Sequence, residues 1–237
     1  MALPKINTPT YELVIPSTDE KIEYRPFLVK EEKILLIAME SGKQKDIISA
    51  IKQIVTACTF GKLKIGRMPM FDVEYLFLNI RAKSVGEISE LKLIAPDDKK
   101  TTVDVSVDLS TIQVQEEEGH TNKIELTDEM GIYMQYPTVD TFGESGISDI
   151  NASNMLEVIT GCIAQIYDKK GEEVFEAKDQ TKKELIEFVE QLNSKQFADV
   201  QSFFDTAPKL KHEITLKNPK TKVESKVVLS GLGDFFA

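Results

Sequence analysis

The stretch Phe71-Asp72-Val73-Glu74-Tyr75-Leu76-Phe77-Leu78-Asn79-Ile80-Arg81-Ala82-Lys83 decides the fold. It has helical length, and with Met70 before it the residues Phe71, Val73, Tyr75, Leu76, Phe77, Leu78 and Ile80 leave almost no polar face. A helix that is apolar nearly all round must be covered on every side, so it is central in its domain. Asp72, Glu74 and Arg81 are the polar exceptions and are expected to cap or pair locally.

Toward the N-terminus, Ile47, Ile48, Ile51, Ile54, Val55 and Cys58 recur at steps of three and four, which predicts an amphipathic helix over 44–58. A basic turn at Gly61–Pro69 joins it to the central helix. An earlier helix is predicted from Glu31 and Glu32 in a first turn, the apolar run Ile34–Met39 and a stop at Gly42. Before it, Tyr11–Ile15 and Ile22–Arg25 read as short strands around a turn at Pro16–Glu20.

Toward the C-terminus the period changes from helical to two. Leu91 and Leu93, then Val103, Val105, Val107 and Leu109, alternate with polar residues on either side of Asp97–Lys100, which predicts a hairpin with one apolar face. Ile124–Leu126, Gly131–Tyr136 and Glu173–Phe175 read as further short strands. A long amphipathic helix is predicted around Asp149–Tyr167, with Met155, Val158, Ile159, Cys162, Ile163 and Ile166 on its apolar face. Helices at Lys183–Leu192 and around Phe197–Phe204 follow, ended by Pro208. A last hairpin runs from Ile214 through Asn218-Pro219-Lys220 to Leu229.

The expected class is therefore α+β, built from helix–helix–β-hairpin units with additional short strands and a long central helix. The order suggests an internal duplication of residues 44–114 and 181–236, with 115–180 between them. Lys45-Asp46-Ile47-Ile48 matches Lys183-Glu184-Leu185-Ile186, and Asp72-Val73 with Leu76-Phe77 matches Asp199-Val200 with Phe203-Phe204. The alternative is that amphipathic helices look alike because each needs a core face.

Composition narrows the function. The 237 residues carry 29 Lys+Arg and 39 Asp+Glu, a net charge of −10. That balance argues against a nucleic-acid surface, which needs excess Lys and Arg. No apolar run approaches the roughly 20 residues of a membrane helix, and no signal peptide is visible, so a cytosolic protein is expected. Cys58 and Cys162 both fall on apolar stripes and read as core.

Chemistry-bearing motifs are scarce. His120 and His212 have no partner at metal-ligand spacing. Gly61–Met68 has the glycine spacing of a phosphate loop without its Lys-Ser/Thr ending, and Gly143–Gly146 is not a nucleophile elbow. Asp97, Asp98, Asp104 and Asp108 read as solvated carboxylates. No enzyme, cofactor or metal is expected.

Three stretches carry a family resemblance. They are Tyr24-Arg25-Pro26-Phe27-Leu28-Val29-Lys30-Glu31-Glu32-Lys33, the central Phe71–Glu87 segment, and the C-terminal run from Pro208-Lys209-Leu210 through Asn218-Pro219-Lys220 to Gly231-Leu232-Gly233-Asp234-Phe235-Phe236. Together they resemble the baseplate hub and hub-assembly proteins of T-even-type bacteriophages over nearly the whole chain, 1–237. The resemblance implies a structural or chaperone-like subunit that binds other baseplate hub proteins, in the host cytoplasm during assembly or in the virion tail. The alternative is a soluble binding module or chaperone unrelated to phage tails. Cysteine pairs in the first hairpin of relatives would suggest a zinc ribbon, but Leu91–Leu109 holds neither Cys nor His, so no metal is expected there. Candidate interface residues are Tyr24, Arg25, Phe27, Arg81, Lys83, Phe235 and Phe236. The two-phenylalanine tail is expected to dock either on its own chain or on a partner.

Overall fold

The central helix is α3, Met70–Val85, and Phe71, Val73, Tyr75, Leu76, Phe77, Leu78 and Ile80 are all buried along it. Two different layers cover it. On one side α1 (Val29–Ser41) packs on α2 (Gln44–Cys58), and α2 packs on α3. On the other side lie strands, and this is why the helix has no polar face. Tyr75, Leu78 and Ala82 join Leu91, Val107, Leu109, Ile112, Leu210, Leu229 and Phe235 in one core cluster. Full burial of each large apolar side chain contributes about 1.5–3 kcal/mol, so α3 anchors both layers.

In this computed structural model, residues 6–141 and 155–235 are described. They form an α+β fold with four antiparallel sheets. Strands β1 (Tyr11–Val14) and β2 (Lys21–Tyr24) pair with each other, as do β3 (Ile88–Ile94) and β4 (Thr102–Asp108). A short strand β5, Gln113–Gln115, pairs with the distant β10, Lys209–Lys217, which also pairs with β11, Glu224–Ser230. The fourth sheet has the order β6 (Lys123–Glu125), β7 (Met130–Met134), β8 (Ile163–Asp168), β9 (Glu173–Glu176). Further helices are α4 (Met155–Gly161), α5 (Lys182–Glu190), α6 (Ser194–Thr206) and α7 (Gly231–Phe235).

Three hairpins turn by one device. Ile15, Ala95 and Asn218 are each followed by proline: Pro16, Pro96 and Pro219. In each turn the fourth residue on is left-handed: Asp19 at φ 55, Lys99 at φ 53 and Lys222 at φ 65. Its N–H donates back to the carbonyl of Ile15, Ala95 or Asn218, at 2.9 Å in all three. Proline presets the first turn dihedral and lacks the N–H that would otherwise be left over.

The chain divides into two compact units, Met1–Gln115 with Lys209–Ala237, and Glu116–Pro208. The second helix–helix–hairpin series is shared between them: β10 and β11 belong to the first unit, α5 and α6 to the second. In the second unit Ile124, Ile132, Met134, Val158, Ile159, Cys162, Ile163 and Ile166 pack with Leu185, Val189, Val200 and Phe203.

One predicted element is corrected. The helix expected around Asp149–Tyr167 ends at Gly161, and Ile163–Asp168 is strand β8 between β7 and β9. Residues 149–154 of that expectation, and the loop Gly143–Gly146, lie outside the described residues. Cys162, in the turn after the helix, and Ile163 and Ile166, on the strand, are buried as they would be on a helix, so apolar spacing alone did not separate the two.

Gly131 shows a second constraint on this sheet. It sits opposite Tyr167 on β8 and Glu125 on β6, and a β-carbon there would lie 2.5 Å from the Ile124 carbonyl oxygen and against the Tyr167 hydroxyl. Only glycine fits such a close approach.

Candidate interaction surface

Tyr24–Lys33 is the segment that launches α1. It begins as the end of β2, where Tyr24 is buried and its ring lies 5.8 Å from that of Tyr11. Burial, reinforced by neighbouring Tyr11, Tyr75 and Glu87, pushes the Tyr24 phenol up to about 12. The next residue, Arg25, ties the segment to the end of α2: its N–H donates to the Cys58 carbonyl at 3.0 Å. Its guanidinium donates to the Pro26 carbonyl at 2.8 Å and to Glu31 at 3.0 Å.

Glu31 does two things. One carboxylate oxygen takes the Arg25 guanidinium, and the other accepts the Leu28 N–H at 2.8 Å. Leu28 is the N-cap of α1 and has no side-chain acceptor, so Glu31 supplies the missing half of the cap from inside the first turn. Burial by itself raises the Glu31 carboxyl, but the Arg25 and Leu28 hydrogen bonds outweigh it and hold the group below its ordinary range. Phe27 fixes the other side of the segment. Its N–H donates to the Ser84 hydroxyl at 2.9 Å, and that hydroxyl donates to the Ile80 carbonyl within α3.

The seven sequence-derived interface residues fall into distinct settings. Tyr24 and Phe235 are buried within their own chain. Phe235 is fully buried in the cluster around α3, with its carbonyl accepting from Ser89 at 3.3 Å, because the short α7 folds the tail back onto β10, β11 and α3. Arg25 is largely spent on Glu31 and Pro26. Phe27 and Arg81 are half-buried, and burial lowers the Arg81 guanidinium. Lys83 is exposed, pairs with Glu87, and stands 5.3 Å from the Tyr11 ring centre. Phe236 lies outside the described residues.

The polar exceptions on α3 bind turns and tail. The Asp72 carboxylate accepts from the Ser17 N–H at 3.1 Å and from the Ser17 hydroxyl. Burial raises the Asp72 carboxyl, and the Ser17 bonds only partly offset it. Glu74 accepts the Leu232 N–H at the start of α7, and burial pushes its carboxyl up to about 7. Asp97 does a similar job between two hairpin tips, accepting from Asn218 at 3.0 Å and from Thr221. Sequence reasoning missed these links. Their signal was the polar residue two places after the turn-starting position, Ser17 after Ile15 and Asp97 after Ala95.

His120 is structural. Thr206 Oγ1 donates to the Ser202 carbonyl at 2.7 Å, so it accepts from His120 Nδ1, 2.8 Å away. The Tyr136 hydroxyl sits 3.0 Å from Nε2, and the ring lies 5.2 Å from that of Phe203. Burial pushes the Cys58 thiol up to about 11 and the Cys162 thiol up to about 12, so both are protonated, inert core groups. Among the described residues no group of three His, Cys, Asp or Glu is placed to hold a metal ion, and no helix is long and apolar enough to cross a membrane.

What the molecule does offer outward is apolar surface on ordered elements. Val29, Leu36, Ile37 and Met39 are exposed on α1, and Val174 and Phe175 on the edge strand β9. Surfaces of this kind mark protein contacts. The family model described as T4 bacteriophage base plate protein matches residues 8–237. The chain belongs to that family. Among curated proteins and among solved structures nothing matches. The base plate family match covers all three stretches on which the sequence resemblance rested, so this is a phage baseplate protein.

Proposed function

We propose that this base plate family protein is a subunit or assembly factor of the baseplate central hub, working without catalysis by binding other hub proteins while the hub is built in the host cytoplasm. The observation that carries the reading is the family match over residues 8–237. The surface chemistry supports it. Strand β9 ends the four-stranded sheet, its outer edge is unpaired among the described residues, and Val174 and Phe175 are exposed on its two faces. An unpaired strand edge with apolar side chains is a ready template for a partner strand.

Co-expression with the other hub proteins of the same phage, followed by size-exclusion chromatography, tests this reading. Co-elution with at least one of them is expected. Replacing Val174 and Phe175 by lysine is expected to weaken the complex while leaving the melting temperature close to wild type, since both side chains are solvent-exposed.

A further inference from the structure

Helix α1 carries exposed apolar residues that nothing among the described residues fully covers: Val29 is 80% exposed, Leu36 55%, Ile37 57% and Met39 49%. Val29, Lys33, Leu36 and Glu40 follow one another at steps of four, three and four, and so share one side of the helix. Lys33 and Glu40 are exposed, and neither has an ion-pair partner among the described residues.

The two charges are placed symmetrically. Lys33 lies three residues before Leu36, and Glu40 three after Ile37. When two α1 helices are laid antiparallel with Leu36 of one against Ile37 of the other, Lys33 of each copy faces Glu40 of the other. Two ion pairs then flank an apolar centre. A two-fold interface requires one patch that complements itself in this way. An arbitrary partner would not need opposite charges at equal distances from the midpoint.

We propose that α1 is a two-fold contact between two copies of this chain. The helix is held ready for it. Arg25 and Glu31 fix its first turn, and Gly42, left-handed at φ 64, ends it with its N–H on the Met39 carbonyl. A face fixed before binding loses little freedom on binding. The net charge of −10 opposes pairing only weakly, because charges more than about 8 Å apart are largely screened at physiological salt.

Sedimentation equilibrium of the full chain and its variants tests the proposal. Wild type is expected to dimerise reversibly. Leu36→Asp is expected to raise the dimer Kd by about tenfold to a hundredfold, the equivalent of losing the contact of a half-exposed leucine from each of the two copies. Lys33→Glu and Glu40→Lys are each expected to weaken the dimer, and the double variant carrying both to recover it. Thermal melts of all four variants are expected to match wild type, since each side chain is exposed. Three results would overturn the proposal: a wild type that stays monomeric up to its solubility limit, a dimer indifferent to Leu36→Asp, or a double variant no tighter than the singles. A monomeric wild type that loses a complex with another baseplate protein on Leu36→Asp would assign the face to that protein instead, leaving the hub reading intact.

Discussion

Arg25 and Glu31 meet at 3.0 Å with their side chains only 13% and 4% exposed, in a segment where β2, α1, α2 and α3 come together. The pair settles the direction in which the chain enters α1. It also leaves a carboxylate in a setting where only its partners make ionisation favourable.

Glu31→Gln therefore leaves a buried guanidinium without its counter-charge, at a cost of about 3 kcal/mol. Because the Glu31 carboxyl is held below its ordinary value of 4.5, its contribution to stability is fully present above that pH and is lost as pH falls through the lower folded-state value. Urea unfolding is expected to show a large difference between Glu31→Gln and wild type at neutral pH, and a shrinking one on acidification below pH 4.5.

Glu74 is predicted to behave in the opposite sense. Its carboxyl is raised from 4.5 to about 7, so the folded state gains from the protonated form. That gain is full below pH 4.5 and gone once pH has risen through about 7. Glu74→Gln keeps the neutral form at every pH. Allowing for screening at a partly exposed residue, it is expected to stabilise the protein at alkaline pH by on the order of 1 kcal/mol. Melting temperatures across pH 5 to 8 check this: the variant should flatten the profile, and an unchanged profile would remove Glu74 as the titrating group.

Gly131 leaves no space for a β-carbon. Gly131→Ala is expected to cost about 3 kcal/mol, the upper end of ordinary overpacking, because the obstruction includes the Ile124 backbone rather than only a side chain that can swing away. Chemical denaturation measures it directly. A loss of a few tenths of a kcal/mol would show that the β6–β7–β8 spacing is looser than described.

Cys58 and Cys162 are predicted to resist thiol reagents until the protein unfolds. Both are fully buried, and burial holds their thiols at about 11 and about 12. A chromogenic disulfide reagent should find no reactive thiol in the native protein and both in denaturant. Fast modification of Cys58 in the native state would mean that its contact with Arg25, at 3.8 Å, activates it.

The sequence made α3 legible because covering a helix on two sides by different layers removes its polar face altogether. The hairpins were equally legible: a period of two cannot be mistaken where Val103, Val105 and Val107 alternate with Asp104 and Ser106. The passage from α4 into β8 was not. Cys162, Ile163 and Ile166 fit either period, and the Gly161 break was the only local cue. Strand β5 is three residues long and exists through its pairing with β10, nearly a hundred positions away, which no local pattern encodes. The burial of Tyr24 and Phe235 was not legible for a related reason. An aromatic near a chain end looks the same whether it meets a partner or its own core, and here α7 turns Phe235 inward.

The most direct test of the central claim is co-purification of the full chain with the hub proteins encoded by the same phage. The account predicts a stable complex with at least one of them on size-exclusion chromatography, weakened by charges placed on β9. Elution of this chain alone, in the presence of each hub protein in turn and of all together, would contradict it.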